Sequence, residues 1–392
     1  MKIGSFSLIK ELNTSLILNT IKERKSVSRA DIAKITGLTA ATVTNITAEL
    51  LKYNLIIETK YGESSGGRKP ILLEFNYKAY SVVGVVVTKE EITVALTDLN
   101  ANLLDKSSLS LAENVTDTEV IDSICKAINN LKLSSYGRVL GIGVSMEGLI
   151  NEKDGVCVLS SSFGWENVEI RSRLSENLKL PVFVNNDVKA LAKGEEMFGR
   201  GKESSNFILL YIGYGIGATL VNEGIIYRGA SNYASEIGHI TLDMNGPLCN
   251  CGNKGCFQAL ASGEALINEL KKNGYGEIFG DEGITLKSIP EKSVSGEHGI
   301  EQLIEKQAYY IGTGVANIIN IFNPSDIIIS GYISAMPEKI KELIIKEAKK
   351  KSLKSMRDDI NITFSKMGID GQYKGAVGLI ISELFDNPEF FF

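Results

Sequence analysis

Residues able to do chemistry gather in two short stretches. Ser235-Glu236-Ile237-Gly238-His239 is followed by Cys249-Asn250-Cys251-Gly252-Asn253-Lys254-Gly255-Cys256. Three thiolates and one imidazole complete a closed tetrahedral shell, which suits a structural Zn²⁺ better than an open catalytic one. Gly252 and Gly255 let the loop turn tightly enough for Cys251 and Cys256 to reach one ion. Free or redox-active thiols are the competing reading. A Cys-x-Cys pair is poorly placed for an internal disulfide, which favours His239, Cys249, Cys251 and Cys256 as zinc ligands. The second stretch is Val184-Asn185-Asn186-Asp187. A carboxylate accepts from hydroxyls and can take a hydroxyl proton, while an amide both donates and accepts. An Asn-Asp pair after a strand is equally the signature of a turn or a helix cap.

The chain around these residues has 392 residues, 44% hydrophobic and 23% charged. That is the composition of an ordinary soluble protein of two or three domains, and it excludes a disordered, fibrous or small disulfide-stapled chain. Ser204 to Asn222 is charge-free over the length of a membrane span, but it opens with Ser-Ser-Asn and carries Gly213, Gly215 and Gly217. It therefore reads as strand–turn–strand, and no membrane partner is expected. Lys10 and Glu11 interrupt the apolar N-terminal stretch, unlike a secretory signal. Five cysteines, three of them in the Cys249–Cys256 loop, suit a reducing compartment, so the expected location is cytoplasmic.

The net charge of −5 conceals an asymmetry. The first 80 residues hold nine Lys and three Arg against seven acidic residues, whereas the remainder holds 30 basic against 40 acidic. A basic head on an acidic body implies that only the head meets a polyanion.

The head has the pattern of a helix–turn–helix with a wing. Leu12, Leu16, Ile17, Thr20 and Ile21 recur at helical spacing in a first helix ending near Lys25. Ser28 is placed to cap a second helix, with Asp31 at its third position, and Gly37 to end it. Thr39 caps a third helix, Ala40 to about Tyr53, whose buried stripe is Val43, Ile46, Leu50 and Leu51. Its other face, with Ala40, Thr42, Thr44 and Asn45, is small and polar enough to enter a major groove. Two short strands, Leu55–Glu58 and Ile71–Phe75, flank a Gly/Ser tip that carries Arg68 and Lys69, a wing suited to phosphates or a minor groove. Ser28, Thr39, Ala40, Thr42, Asn45, Arg68 and Lys69 are the candidate contacts to double-stranded operator DNA. A helical module that binds only protein is the competing reading.

The body alternates strands and helices. Strands are expected at Val82–Val87, Ile92–Leu96, Val139–Val144, Val182–Val184, Phe207–Ile212 and Asp326–Ile329. Helices are expected at Asp117–Leu131, Val188–Phe198, Gly263–Asn273, Gly299–Phe322 and Pro337–Lys351. The fold class is α/β with mixed sheets, and this length implies two lobes.

These motifs together resemble the ROK family, whose members include repressors and sugar kinases on a shared kinase-like body. Glu236-x-Gly238-His239 with Cys249-x-Cys251-Gly252-x-x-Gly255-Cys256 is the most specific likeness. Gly143-Val144-Ser145-Met146-Glu147-Gly148, Val184-Asn185-Asn186-Asp187, Gly213-Tyr214-Gly215-Ile216-Gly217 and Gly375-Ala376-Val377-Gly378 are similar to further family motifs, so the likeness covers nearly the whole chain. The winged head resembles the xylose-repressor and N-acetylglucosamine-repressor branch. The resemblance implies a winged helix–turn–helix over 1–77 and a two-lobed actin/hexokinase-like body over 78–392. Lobe one would span about 78–187 plus the C-terminal helix, and lobe two about 188–370. It also implies a sugar effector held by Asn186, Asp187, Glu236, His239 and Gln258, with His239 serving both metal and sugar.

Two departures bear on activity. Where kinases of the family carry an Asp-x-Gly-x-Thr phosphate turn, this chain has Val86-Val87-Thr88-Lys89-Glu90. Val offers magnesium nothing, and Thr blocks the close approach that Gly permits. Gln258 stands where the family usually has Glu, keeping an acceptor but losing the charge. The expected protein is not an enzyme but a sugar-responsive DNA-binding regulator, acting as a homodimer or homotetramer. A sugar kinase with a DNA-binding head, or a ligand-independent DNA-binding protein whose body only dimerises, are the alternatives.

Overall fold

The computed structural model describes residues 6–61, 69–112, 114–230, 232–280, 283–293, 297–368 and 371–392. It forms two compact units, one of residues 1–185 with 376–392 and one of residues 186–375. Among the described residues no helix is long and apolar enough to cross a membrane.

The first unit begins with the head. Helices Phe6–Arg24, Arg29–Thr36 and Ala40–Lys52 stand on a three-stranded sheet. In that sheet Ile71–Phe75 pairs antiparallel with Ile56–Tyr61 on one edge and with the two-residue strand Val27–Ser28 on the other. The caps are those the sequence implies. Ser28 accepts from the Asp31 amide, Thr39 accepts from the Thr42 amide, and Gly37 takes the left-handed conformation at φ 71°. Arg29 ties helices to wing, donating to the Thr47 hydroxyl and pairing with Glu58 at 2.8 Å.

The first helix turns a different face inward from the one its spacing suggests. Thr14, Ile17, Leu18, Thr20 and Ile21 are buried, whereas Leu12 is 60% and Leu16 44% exposed. Apolar residues occur on every side of Leu16-Ile17-Leu18, so periodicity could not choose the face; packing in the head did.

Beyond the head lies a five-stranded sheet, ordered Leu103–Ser110, Glu91–Asp98, Ser81–Val87, Val139–Met146 and Val182–Asn186. The first three strands are antiparallel, and Ser81–Val87 runs parallel to Val139–Met146. Helix Asp117–Asn129, held by a full Thr116/Glu119 capping box, buries Val120, Ile121, Ile124 and Ile128 against it. A small antiparallel sheet, Leu149–Asn151, Val156–Ser160 and Trp165–Glu169, buries Trp165 stacked on Phe163 at 4.5 Å.

The second unit repeats that strand order. Ile225–Ile226, Ile216–Asn222 and Phe207–Ile212 are antiparallel, and Phe207–Ile212, Asp326–Gly331 and Asn361–Phe364 are parallel. Helices Asp187–Phe198, Gly263–Lys272, His298–Phe322 and Glu338–Lys351 accompany it. All the body strands and helices expected from sequence form, with ends shifted by a few residues. The unforeseen ones are short or on sheet edges; Leu103–Ser110, for instance, reads Leu-Leu-Asp-Lys-Ser-Ser-Leu-Ser, too polar to announce a strand.

Helix Tyr373–Asp386 spans the division between the units. In the first unit its Ala376 carbonyl fills the space that a Cβ on Gly143 would need. In the second, Gly375 lies directly on the backbone of Ala190 and Gly194. Gly143→Ala is therefore expected to cost about 2–3 kcal/mol of stability in urea unfolding. Gly276→Ala, where the new methyl meets nothing within 4 Å, should stay within about 0.5 kcal/mol.

Candidate functional site

The four metal-ligand candidates meet. The Nδ1/Nε2 and Sγ atoms of His239, Cys249, Cys251 and Cys256 all lie within 4.8 Å of one another. Cys249 Sγ is 3.7 Å from His239 Nδ1, and Cys251 Sγ is 3.6 Å from Cys256 Sγ. With metal–sulfur bonds of about 2.3 Å, a tetrahedron has sulfur–sulfur edges of roughly 3.8 Å. The donors thus already stand at the corners of such a shell, and the cluster can bind a metal.

The local backbone explains the convergence. His239 ends a 3-10 turn, Ile237–His239. The Cys249 amide donates to the Asn253 carbonyl at 2.7 Å, and the Gly252 amide donates to Cys249 O at 2.9 Å. Gly252 and Gly255 sit at φ 91° and 68°, and a Cβ on Gly255 would overlap the Asp243 carbonyl. Both glycines are required where the spacing placed them. The thiols divide: the Asn253 amide draws Cys251 down to about 7, while burial pushes Cys256 up to about 12. Thiols this close cannot all ionise unless a cation replaces their protons.

The polar candidates in the second unit are organised around one glycine turn, Gly213-Tyr214-Gly215 at the start of strand Ile216–Asn222. The Ile216 amide donates to Gln258 Oε1 at 3.1 Å, and its carbonyl fills the space a Cβ on Gly238 would need. Gly217 packs on Val188, one residue after Asp187. The turn therefore links the helix begun by Asn186 and Asp187 to the 3-10 turn that holds His239. Gln258 contributes from within: its oxygen is committed to the turn, a bond that glutamate would make equally well.

Asn186 does what the simpler reading of its motif says. Its Oδ1 caps helix Asp187–Phe198, accepting from the Val188 amide at 3.0 Å and the Lys189 amide at 3.2 Å. That oxygen is engaged in the fold. Asp187, partly exposed, is the first residue of the helix, and Glu236 is exposed at the mouth of the 3-10 turn. Sequence reasoning missed Lys189. It is 9% exposed, and its ammonium donates to Asn232 O at 2.8 Å and Asn232 Oδ1 at 3.1 Å. This clamp ties the same helix to the segment that leads into Glu236. A lysine inside an otherwise apolar helix face was the available signal. A cavity of about 340 Å³ is lined by Leu248, Asn250, Gln258, Lys306 and Tyr310 among others, and it takes in none of Asn186, Asp187, Glu236 or His239.

In the head, Thr39, Ala40 and Asn45 are exposed and Thr42 is partly so, at the start of helix Ala40–Lys52; Lys69 is exposed beside the wing. Ser28 is different. It is 3% exposed, and its hydroxyl accepts from the Asp31 amide and donates to Asp31 Oδ2 at 2.6 Å. The hydroxyl expected to face DNA is consumed by the helix cap. Arg68 lies outside the described residues.

Comparison with known proteins bears on the whole chain. The sequence profile of the ROK family matches residues 82–383. The xylose repressor of Caldicellulosiruptor bescii is 31% identical over 399 aligned positions, covering 99% of this chain and 100% of the relative. The crystal structure of a ROK family transcriptional regulator, a homologue of the E. coli Mlc protein, matches with a TM-score of 0.85 at 27% identity, covering 97% of each chain. A ROK family glucokinase from Streptomyces griseus, solved with glucose and AMPPNP, matches with a TM-score of 0.68 at 25% identity; it is covered over 98% of its length but covers 76% of this chain.

The Asn186 cap separates two roles of one side chain. Asn186→Ala should cost about 1 kcal/mol in urea unfolding through the lost cap. Asn186→Asp, which keeps the acceptor, should leave stability within about 0.5 kcal/mol while removing the amide donor.

Proposed function

The chain belongs to the ROK family, and from that premise we propose that it is a sugar-responsive transcriptional repressor, its head on operator DNA and its body on a monosaccharide or derivative. The extent of the likeness carries this reading. The match to the xylose repressor runs through head and body alike, whereas the glucokinase match omits about the share of the chain that the head occupies. In this reading residues 1–77 are the DNA-binding head and 78–392 the body. Thr39, Ala40, Thr42 and Asn45 reach base edges and phosphates from the major groove, and Lys69, with Arg68, contacts the backbone from the wing. Two-fold pairing of chains, as a homodimer or homotetramer, matches a pseudo-palindromic operator. The absence of a membrane-spanning helix among the described residues accords with a cytoplasmic regulator.

The sugar would be held by the Asn186 amide, Asp187, Glu236 and the His239 ring nitrogen turned away from the cysteines. Gln258 would shape the pocket from behind through its bond to Ile216. His239, Cys249, Cys251 and Cys256 would hold a structural Zn²⁺ that fixes the imidazole. The donor set and its spacing support zinc over harder ions.

Phosphoryl transfer is not part of this reading. Val86 is 6% exposed in strand Ser81–Val87, where a side chain that holds magnesium would be needed. The following turn is closed on itself: Thr88 N and Oγ1 donate to Glu91 O, and the Glu91 amide donates back to Thr88 Oγ1 at 3.1 Å. Those groups are not offered to a phosphate.

Fluorescence anisotropy on DNA from upstream of the protein's own gene, at fixed salt, tests the reading. Tight binding is expected, weakened about tenfold or more by one aldose, ketose or sugar phosphate of a panel. Binding unaffected by every sugar, or ADP formation from ATP with one of them, would overturn it. The metal is separable. Protein purified without chelator should carry one zinc per chain, and Cys256→Ala should lose it with a fall in Tm. Well under one zinc in the unaltered protein would refute the assignment.

A further inference from the structure

The head is held on the first unit largely by aromatic side chains from the end of the described chain. Tyr53 is the C-cap residue of helix Ala40–Lys52. Its ring stacks on Phe392 with centroids 4.6 Å apart, and its carbonyl accepts from the Tyr80 hydroxyl at 2.6 Å. Tyr80 also packs on Phe392 at 5.3 Å, and the Arg138 guanidinium lies 5.8 Å over the same ring while donating to Phe391 O at 3.2 Å. Phe390, 5.7 Å edge-on to Phe183, anchors the segment on strand Val182–Asn186.

The same segment reaches the rest of the head. Asn19 of the first helix donates to Phe385 O at 3.3 Å, and Lys22 lies 4.1 Å over the Phe385 ring. Phe385 packs on Phe75 of the wing strand at 5.0 Å. Lys10 bridges Glu389 at 3.4 Å and Glu49 of the DNA-facing helix at 2.8 Å. Phe385, Glu389 and Phe392 therefore touch the first helix, the wing and the C-terminal end of the helix that would enter the groove.

Phe385 lies in the last turn of helix Tyr373–Asp386 and Glu389 and Phe392 follow it; the first residues of that helix, up to Gly375, belong to the second unit. There Gly375 rests on Ala190 and Gly194, both in the helix begun by Asn186 and Asp187. The contact is backbone on backbone, with no side chain between the two helices. From Gly375 the helix runs about 15 Å, past Gly143, to Phe385.

We infer that Phe392 is a positioning residue for DNA binding, setting the angle of the head. The inference rests on the repressor reading above. Without the Phe392 ring, Tyr53 loses its seat. The spacing of two paired heads then no longer matches the operator.

The test compares the intact chain with Phe392→Ala and Phe392→Tyr on DNA bearing one half-site and on operators whose half-site spacing is varied. Phe392→Ala should keep its affinity for the single half-site within about twofold. Its affinity for the native spacing should fall about tenfold or more, because the geometry that joins two binding events is lost. Its response to the effector should shrink to less than about twofold, with the effector's own affinity unchanged. Phe392→Tyr, which retains the ring, should restore both. A Phe392→Ala protein that discriminates spacing and responds to effector as the intact chain does would overturn the inference. Failure of the intact chain to bind any operator would instead overturn the repressor reading, and this inference with it. Loss of the single half-site affinity in Phe392→Ala would also count against positioning, since it would mean the head itself had been damaged.

Discussion

Backbone-on-backbone packing of helix Tyr373–Asp386 is the constraint on which both units rest. In the first unit the Ala376 carbonyl occupies the space a Cβ on Gly143 would need, and in the second Gly375 meets Ala190 and Gly194 with no side chain between them. Contacts of this kind leave no rotamer to adjust. Glycine is what permits each approach, at Gly143 on strand Val139–Met146 and at Gly375 on helix Asp187–Phe198. Its position in turn fixes where the aromatic segment after it emerges, and so where the head can stand.

The metal loop solves a different problem in the second unit. Between Thr241 and Gly255 there is little apolar side chain to bury; Met244 is 84% and Leu248 69% exposed. Two isolated bridges, Thr241 to Cys256 and Leu248 to Lys254, are its only ladder contacts among the described residues. Four converging donors supply the organisation that a hydrophobic core would supply elsewhere. The loop ends in helix Phe257–Ala261, which is clamped from the far side. Gln307 donates to Ala261 O and Ser262 O at 2.9 Å and accepts from the fully buried Tyr332 at 2.7 Å. Burial pushes the Tyr332 phenol far above its ordinary range, so it remains a neutral donor. Gln258, on that helix, is thus held between the loop of converging donors and a satisfied polar network.

This arrangement illustrates how a kinase-like body can become a sensor. Binding needs a shaped, polar pocket; phosphoryl transfer needs, in addition, groups placed for the charge that develops at the transferring phosphate. The turn at Gly215 and Ile216 is packed against Gly238 and hydrogen-bonded to Gln258. At the turn after Ser81–Val87, Thr88 and Glu91 satisfy each other and Val86 is sealed in the strand.

The sequence alone determined the features that depend on residue type at fixed local spacing. The caps at Ser28, Thr39 and Gly37, the helix–turn–helix they define, the long body strands and the metal quartet are all local statements, written by hydrogen-bond chemistry and side-chain reach. Tertiary structure decided what local rules leave open. It chose the buried face of a first helix that is apolar on several sides. It assigned the Ser28 hydroxyl and the Asn186 oxygen to helix caps rather than to DNA or ligand, and turned the Gln258 oxygen onto a backbone amide. It also brought Phe392 onto Tyr53 and Gly375 onto Ala190 from distant parts of the chain. No periodicity encodes such meetings, because they are set by how whole elements pack, where a missing Cβ or a single aromatic ring decides the fit.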